Sequence, residues 1–250
     1  MTENITDEIE KFPVFKMMGD SDIIVYIGST ISPEINDKVH YLVDSIKNKN
    51  WIGIKEIIPS YVSLSIHYDP FIVDYTSLEG FVRKVLEDTK EIEYSPKRKI
   101  VIPTFYEGEY APDMESVSAI TGLSDDKIIK MHTSIDYKVY SIGFTPGFPY
   151  LGNLDQKLHC PRLDSPRVAV PRGSVAIAES QTGIYPNESP GGWRIIGTTP
   201  VSLFDSTKLN PALLKPGDLV KFKPLSDEKE FAYIKENCIN GDYEVEEILS

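Results

Sequence analysis

The chain has 250 residues, with 38 acidic and 26 basic side chains for a net charge of −12, and 41% of its positions are hydrophobic. That is the composition of a globular chain long enough for one large domain or two small ones. The acidic balance excludes a nucleic-acid backbone as partner, because such binding is driven by clustered Lys and Arg. Every apolar run is broken well short of the ~20 residues a membrane span requires. The opening Met1–Glu10 segment has neither a basic start nor an apolar core, so a cytoplasmic chain is expected. Cys160 and Cys238 lie far apart, with no Cys-x-x-Cys and no His at ligand spacing. This argues against a disulfide framework and against a metal site.

In chain order, Asp22 to Ile27 is rich in β-branched residues and reads as a strand. Ser32 before Pro33 is a helix start, and Ile35, Val39, Leu42 and Ile46 fall on one face, with Lys47 and Lys49 at the far end; the spacing predicts a helix over 33–48. Two further strands follow at 54–58 and 61–68. In the second, Val62, Leu64, Ile66 and Tyr68 alternate with Ser63, Ser65 and His67, as in a sheet with one covered face. Thr76 and Glu79 have capping-box spacing, and Leu78, Phe81, Val82 and Val85 form a stripe, predicting a helix over 77–89. Two helices on one antiparallel sheet make a ferredoxin-like α+β domain over 1–92.

The charged, Pro-broken run that ends in Ser95-Pro96-Lys97-Arg98-Lys99 reads as a linker over 93–99. Two short helices are expected next, at 113–121 ended by Gly122 and at 125–132 capped by Ser124. The rest of 100–250 is dense in Gly and Pro with short strands at close intervals, which indicates a β-barrel or sandwich. Pro216-Gly217-Asp218 turns into one of those strands, 219–222. The segment 143–152, Gly-Phe-Thr-Pro-Gly-Phe-Pro-Tyr-Leu-Gly, reads as a fixed loop too rich in Pro and Gly for a central strand.

Several segments taken in order carry a family resemblance: Gly19-Asp20-Ser21, Pro59 to Leu64, His132-Thr133-Ser134, Gly143 to Gly152, Val170-Pro171 with Gly173 to Ile177, Gln181 to Pro186, Ser189-Pro190-Gly191-Gly192-Trp193, and Leu203-Phe204-Asp205. On these the chain resembles the allophanate hydrolase subunit one or Kip-type family, whose members include the 5-oxoprolinase B subunit and an inhibitor of a sporulation histidine kinase. The resemblance implies a ferredoxin-like N-terminal domain and a cyclophilin-like β-barrel C-terminal domain. It also implies a second, cyclophilin-like partner subunit, the pair being similar to the carboxyltransferase part of urea carboxylase. In 5-oxoprolinase a third, lactam-utilisation-type subunit joins them, and the assembly opens 5-oxo-L-proline to L-glutamate with ATP hydrolysis. Inhibition of a histidine kinase, or a role in allophanate or urea metabolism, are the alternatives. The sequence departs from the usual pattern at Arg172, where a small residue is common, at Ala178-Glu179-Ser180, which replaces a Gly-rich turn, and at Thr198, where Arg is expected.

Among candidate site residues, His132 has the side chain suited to general acid–base work near neutrality, and the alternative is a helix-end His on the dipole. Gln181 and Tyr185 offer hydrogen bonds to a carboxylate or amide. Ser189, Gly191 and Gly192 offer backbone N–H groups to an oxyanion, or else form a tight turn plugged by Trp193. Phe148, with Tyr150, is a pocket wall or packing. The sequence contains no Gly-x-x-x-x-Gly-Lys-Ser/Thr and no Gly-x-Gly-x-x-Gly. No cofactor site is evident in this chain, and ATP consumed by an assembly is expected to be handled by a partner or at an unfamiliar site.

Overall fold

The computed structural model describes residues 11–88 and 98–249, in two compact units, Met1–Glu93 and Tyr94–Ser250. In the first, β1 (Val14–Met18), β2 (Asp22–Tyr26), β3 (Ile54–Pro59) and β4 (Ser63–Tyr68) form a sheet ordered β1-β2-β4-β3. Every neighbouring pair is antiparallel. Helix α1 (Pro33–Lys49) connects β2 to β3, and α2 (Tyr75–Asp88) follows β4. The strict alternation of β4 is realised, with Leu64, Ile66 and Tyr68 buried and the residues between them half-exposed. Val39, Leu42, Val43 and Ile46 of α1 and Leu78, Val82 and Val85 of α2 cover these strands, each such side chain contributing about 1.5–3 kcal/mol when fully buried.

The ends of these helices show which caps form. Ser32 Oγ accepts from the Ile35 amide at 3.2 Å, and Asn50 closes α1 in the left-handed region at φ 47°. The expected Thr76–Glu79 box does not form. Helix α2 starts earlier because Asp74 accepts from the Ser77 amide at 2.9 Å and from its hydroxyl at 2.6 Å, while Glu79 turns to Arg83. An ionised carboxylate at the positive end of the helix is a better acceptor than a threonine hydroxyl. Strand β1 carries no alternation legible in the sequence, since its last three residues are all exposed on a sheet edge.

In the second unit, β5 (Arg98–Thr104) is followed by α3 (Met114–Thr121) and α4 (Asp125–Ser134), then β6 (Asp136–Ile142), β7 (Pro149–Gly152), β8 (Arg167–Val170), β9 (Ser174–Ala178), β10 (Gln181–Ile184), β11 (Ser189–Gly191), β12 (Arg194–Thr198), β13 (Leu219–Pro224), α5 (Glu228–Asn240) and β14 (Glu247–Leu249). Of the expected linker, 93–97 lies outside the described residues, whereas Arg98 and Lys99 already belong to β5. Eight strands form one sheet in the order β12-β9-β10-β7-β6-β13-β5-β14, and β8 pairs with β11 apart from it.

A closed barrel is not formed. Strand β12, at one end of the order, meets the residue after β5, the next-to-last strand, at one bridge, where Phe105 and Thr198 exchange backbone hydrogen bonds of 2.9 and 2.8 Å. Closure stops there because β14 occupies the free edge of β5 over Arg98–Ile100. The expectation of a loop over 143–152 holds only for its first part: Pro149–Gly152 is an interior strand between β10 and β6. Pro is tolerated at the first position of a strand. Gly152 is required because a Cβ there would run into the Tyr140 ring. Helix α5 is not expected from the sequence, although Asp227 caps it, accepting from the Glu230 amide at 2.8 Å, and Phe231 and Ile234 are its buried residues.

The strands β9, β10 and β12 are covered on both faces. Val175, Ile177, Ile184 and Ile196 point into the main core with α3, α4 and β13. On the opposite face Ala176, Ala178, Tyr185, Trp193 and Ile195 join Phe148 and Val170 in a second, aromatic cluster.

Candidate functional site

His132 occupies the main core. It is fully buried, between the rings of Phe222 and Tyr137 at 4.5 and 5.3 Å. Thr182 donates its hydroxyl to the Ala176 carbonyl at 3.0 Å, so its oxygen is left to accept from His132 Nε2 at 3.0 Å. Nδ1 then accepts from the Tyr106 hydroxyl at 2.9 Å. The ring is neutral, and burial pushes its pKa down to about 3. With both nitrogens engaged and no exposed surface, His132 ties α4 to β10 and offers no atom to a substrate. Its inward place follows from α4, which buries Ile128 and His132, four residues apart, on one face.

The residues expected to bind substrate fall mostly into the aromatic cluster. Phe148 and Tyr185 are buried edge to face, 5.1 Å apart at 82°, and Trp193 stands 5.7 Å from Phe148. Burial raises the pKa of Tyr185, opposed by a hydrogen bond with the Trp193 backbone. Gln181 lies at the start of β10 on the same strand face as Tyr185, with the intervening Gly183 packed by Phe148 and Trp193. Ser189 Oγ is buried without a hydrogen-bond partner among the described residues. The two glycines differ. A Cβ on Gly191 would collide with the Tyr185 ring and hydroxyl, whereas a Cβ on Gly192 would make ordinary contacts, the nearest being Pro166 at 3.6 Å. Gly191, not Gly192, therefore makes the close approach.

None of these residues lines the main cleft described for this unit. A cleft of about 710 Å³ lies instead between the β8–β9 turn, the segment 198–205 and α5. Arg172 and Lys235 bring positive charge to it, Glu109 and Asp205 negative charge, and Tyr110, Phe204 and Phe231 supply aromatic wall. Phe204 is seated by the fixed loop: a Cβ on Gly147, at φ 83°, would stand 2.8 Å from it. Hydrogen bonds from the Thr207 hydroxyl and amide hold the Asp205 pKa below the usual carboxylate value, with Arg172 a lesser cause. Burial raises the Cys238 thiol, partly offset by Arg172. Its thiolate is thus scarce at neutral pH, and the lining has no histidine. The arrangement is built to bind, with no activated nucleophile beside a base.

The sequence matches the carboxyltransferase domain, subdomain C and D, over residues 13–214. The chain belongs to this family. It is 40% identical over 233 residues to the 5-oxoprolinase B subunit of Bacillus subtilis, covering 89% of this chain and 97% of that one. The solved structure of TTHA0988 superimposes with a TM-score of 0.73 at 33% identity, over 82% of this chain, which spans 40% of that larger chain. Urea amidolyase of K. lactis shares the fold, with a TM-score of 0.78 at 20% identity over 94% of this chain and 16% of its own. In this carboxyltransferase-domain chain the family match ends before β13 and α5, so Phe231, Lys235 and Cys238 of the cleft lie beyond it while Arg172, Thr198 and Asp205 lie within.

Two of the three sequence departures, Arg172 and Thr198, face this cleft. From sequence they stand out without a place to put them, and Lys235 goes unnoticed because α5 does. Among the described residues no group of three His, Cys, Asp or Glu side chains could hold a metal ion, and no helix is long and apolar enough to cross a membrane.

Proposed function

We propose that this chain is the B subunit of a cytoplasmic 5-oxoprolinase, acting with a cyclophilin-like partner subunit and a lactam-utilisation-type subunit to open 5-oxo-L-proline to L-glutamate with ATP hydrolysis. The observation that carries this reading is the 40% identity extending over 97% of the B. subtilis protein. The site chemistry supports the division of labour. The cleft can bind but has no nucleophile–base pair, and the sequence has no phosphate-cradling glycine motif. We further read the first unit as a circularly permuted ferredoxin-like domain, which the order β1-β2-β4-β3 supports. The second we read as an incompletely closed cyclophilin-like domain.

The test is reconstitution. The chain alone is expected to show no 5-oxoproline-dependent ATP hydrolysis, and the three subunits together to release glutamate. Turnover by the isolated chain would refute the division of labour. A folded three-subunit assembly inert toward 5-oxo-L-proline would refute the function.

A further inference from the structure

We propose that the cleft between the β8–β9 turn and α5 binds a small monocarboxylate, with Arg172 and Lys235 as the groups that hold its carboxylate. The inference rests on the proposed function only in its choice of 5-oxo-L-proline as first probe. The starting observation is that neither cation is locked in a short ion pair, in a chain where acids outnumber bases by 38 to 26. Among the described residues neither makes an ion pair or a hydrogen bond; of the other arginines, Arg83, Arg98, Arg167 and Arg194 are engaged and Arg162, outside the cleft, is not. A guanidinium left open on the wall of a concave site, with its planar donors unused, is suited to accept a carboxylate in two parallel hydrogen bonds.

The rest of the lining selects the class of anion. Glu109 and Asp205 balance Arg172 and Lys235, so the lining is formally neutral and favours a single negative charge over a phosphate. Helix α5 presents the late residues Lys235, Cys238 and Ile239, near its negative end, which opposes any anion and a polyanion most. Asp205, held ionised by Thr207, can accept from an N–H on the ligand. Phe204, Phe231 and Tyr110 offer an apolar surface to its body. A carboxylate joined to a compact, largely apolar ring that carries an N–H matches all three features. 5-Oxo-L-proline is such a molecule.

Cys238 lines the cleft while Cys160 is buried in the core, so alkylation of Cys238 by iodoacetamide, followed by peptide mass, reports occupancy in the full chain. 5-Oxo-L-proline is expected to slow that alkylation, less so as salt is raised. The concentration needed should rise about tenfold or more in Arg172→Ala, with partial recovery in Arg172→Lys and a smaller loss in Lys235→Gln. Each variant is compared with its own unliganded rate, since Arg172 itself influences the thiol, and circular dichroism verifies folding. The inference is overturned if no carboxylate protects Cys238, if Arg172→Ala is protected as well as the parent, or if inorganic phosphate or ATP protects and carboxylates do not. Should L-glutamate or acetate protect through Arg172 while the reconstituted assembly ignores 5-oxo-L-proline, the cleft assignment stands and the proposed function falls. Conversely, an assembly that turns over 5-oxo-L-proline while no carboxylate protects Cys238 leaves the function standing and overturns the cleft assignment.

Discussion

Replacing Gly191 and Gly192 separately by alanine distinguishes a glycine that the packing demands from one that it merely allows. At Gly191 the new methyl would meet the Tyr185 ring, with Cε1 and Cζ both at 2.8 Å and the hydroxyl closer still. Tyr185 has little room to yield: it is 2% exposed and its ring stands against Phe148. Overpacking of a filled core costs about 1–3 kcal/mol. That loss lowers the Tm of a unit of this size by about 3–12 °C. At Gly192 the nearest atoms are at 3.6 Å or beyond, so alanine should leave the Tm within about 2 °C of the parent. Thermal melts followed by near-ultraviolet circular dichroism, which reports the Tyr and Trp environment, measure both. Equal melting of the two variants, or a larger loss at Gly192, would refute the packing argument.

Protonation of His132 gives a second test. Its folded pKa, about 3, lies below the ordinary 6.5, so between those values the unfolded chain binds a proton that the native chain does not. Stability should therefore fall as pH drops from 6.5 toward 3, by up to about 1.4 kcal/mol per pH unit from this group. Urea unfolding at several pH values should show a shallower dependence for His132→Gln than for the parent; identical slopes would mean that the ring is not held neutral. At α2, Asp74→Ala should lower stability measurably, whereas Thr76→Ala should change little. Chemical denaturation of the full chain decides this, and the reverse ranking would restore the capping box read from the sequence.

Features whose cause is local are legible in the amino-acid order alone. Ser32 and Pro33 fix the start of α1, and the alternation of Leu64, Ile66 and Tyr68 fixes the buried face of β4. Gly122, in the left-handed region at φ 68°, ends α3 where the sequence places it. The family too is legible, because its glycine, proline and aromatic segments occur in a fixed order along the chain. Whatever depends on partners distant in sequence is settled by the folded arrangement instead. Pro149–Gly152 becomes an interior strand because β6 and β10 flank it and Tyr140 fills the space over Gly152. The eight-stranded sheet stays open because β14, from the far end of the chain, takes the edge of β5. His132 has the chemistry of a catalyst, but a position four residues after Ile128 on α4 turns it into the core, where desolvation removes its charge. Arg172 and Lys235 are 63 residues apart in sequence and meet only as walls of one cleft, which has the β8–β9 turn and α5 in its lining. Local residue types set propensity and caps, while the juxtaposition of charges that makes a site is a property of the folded chain.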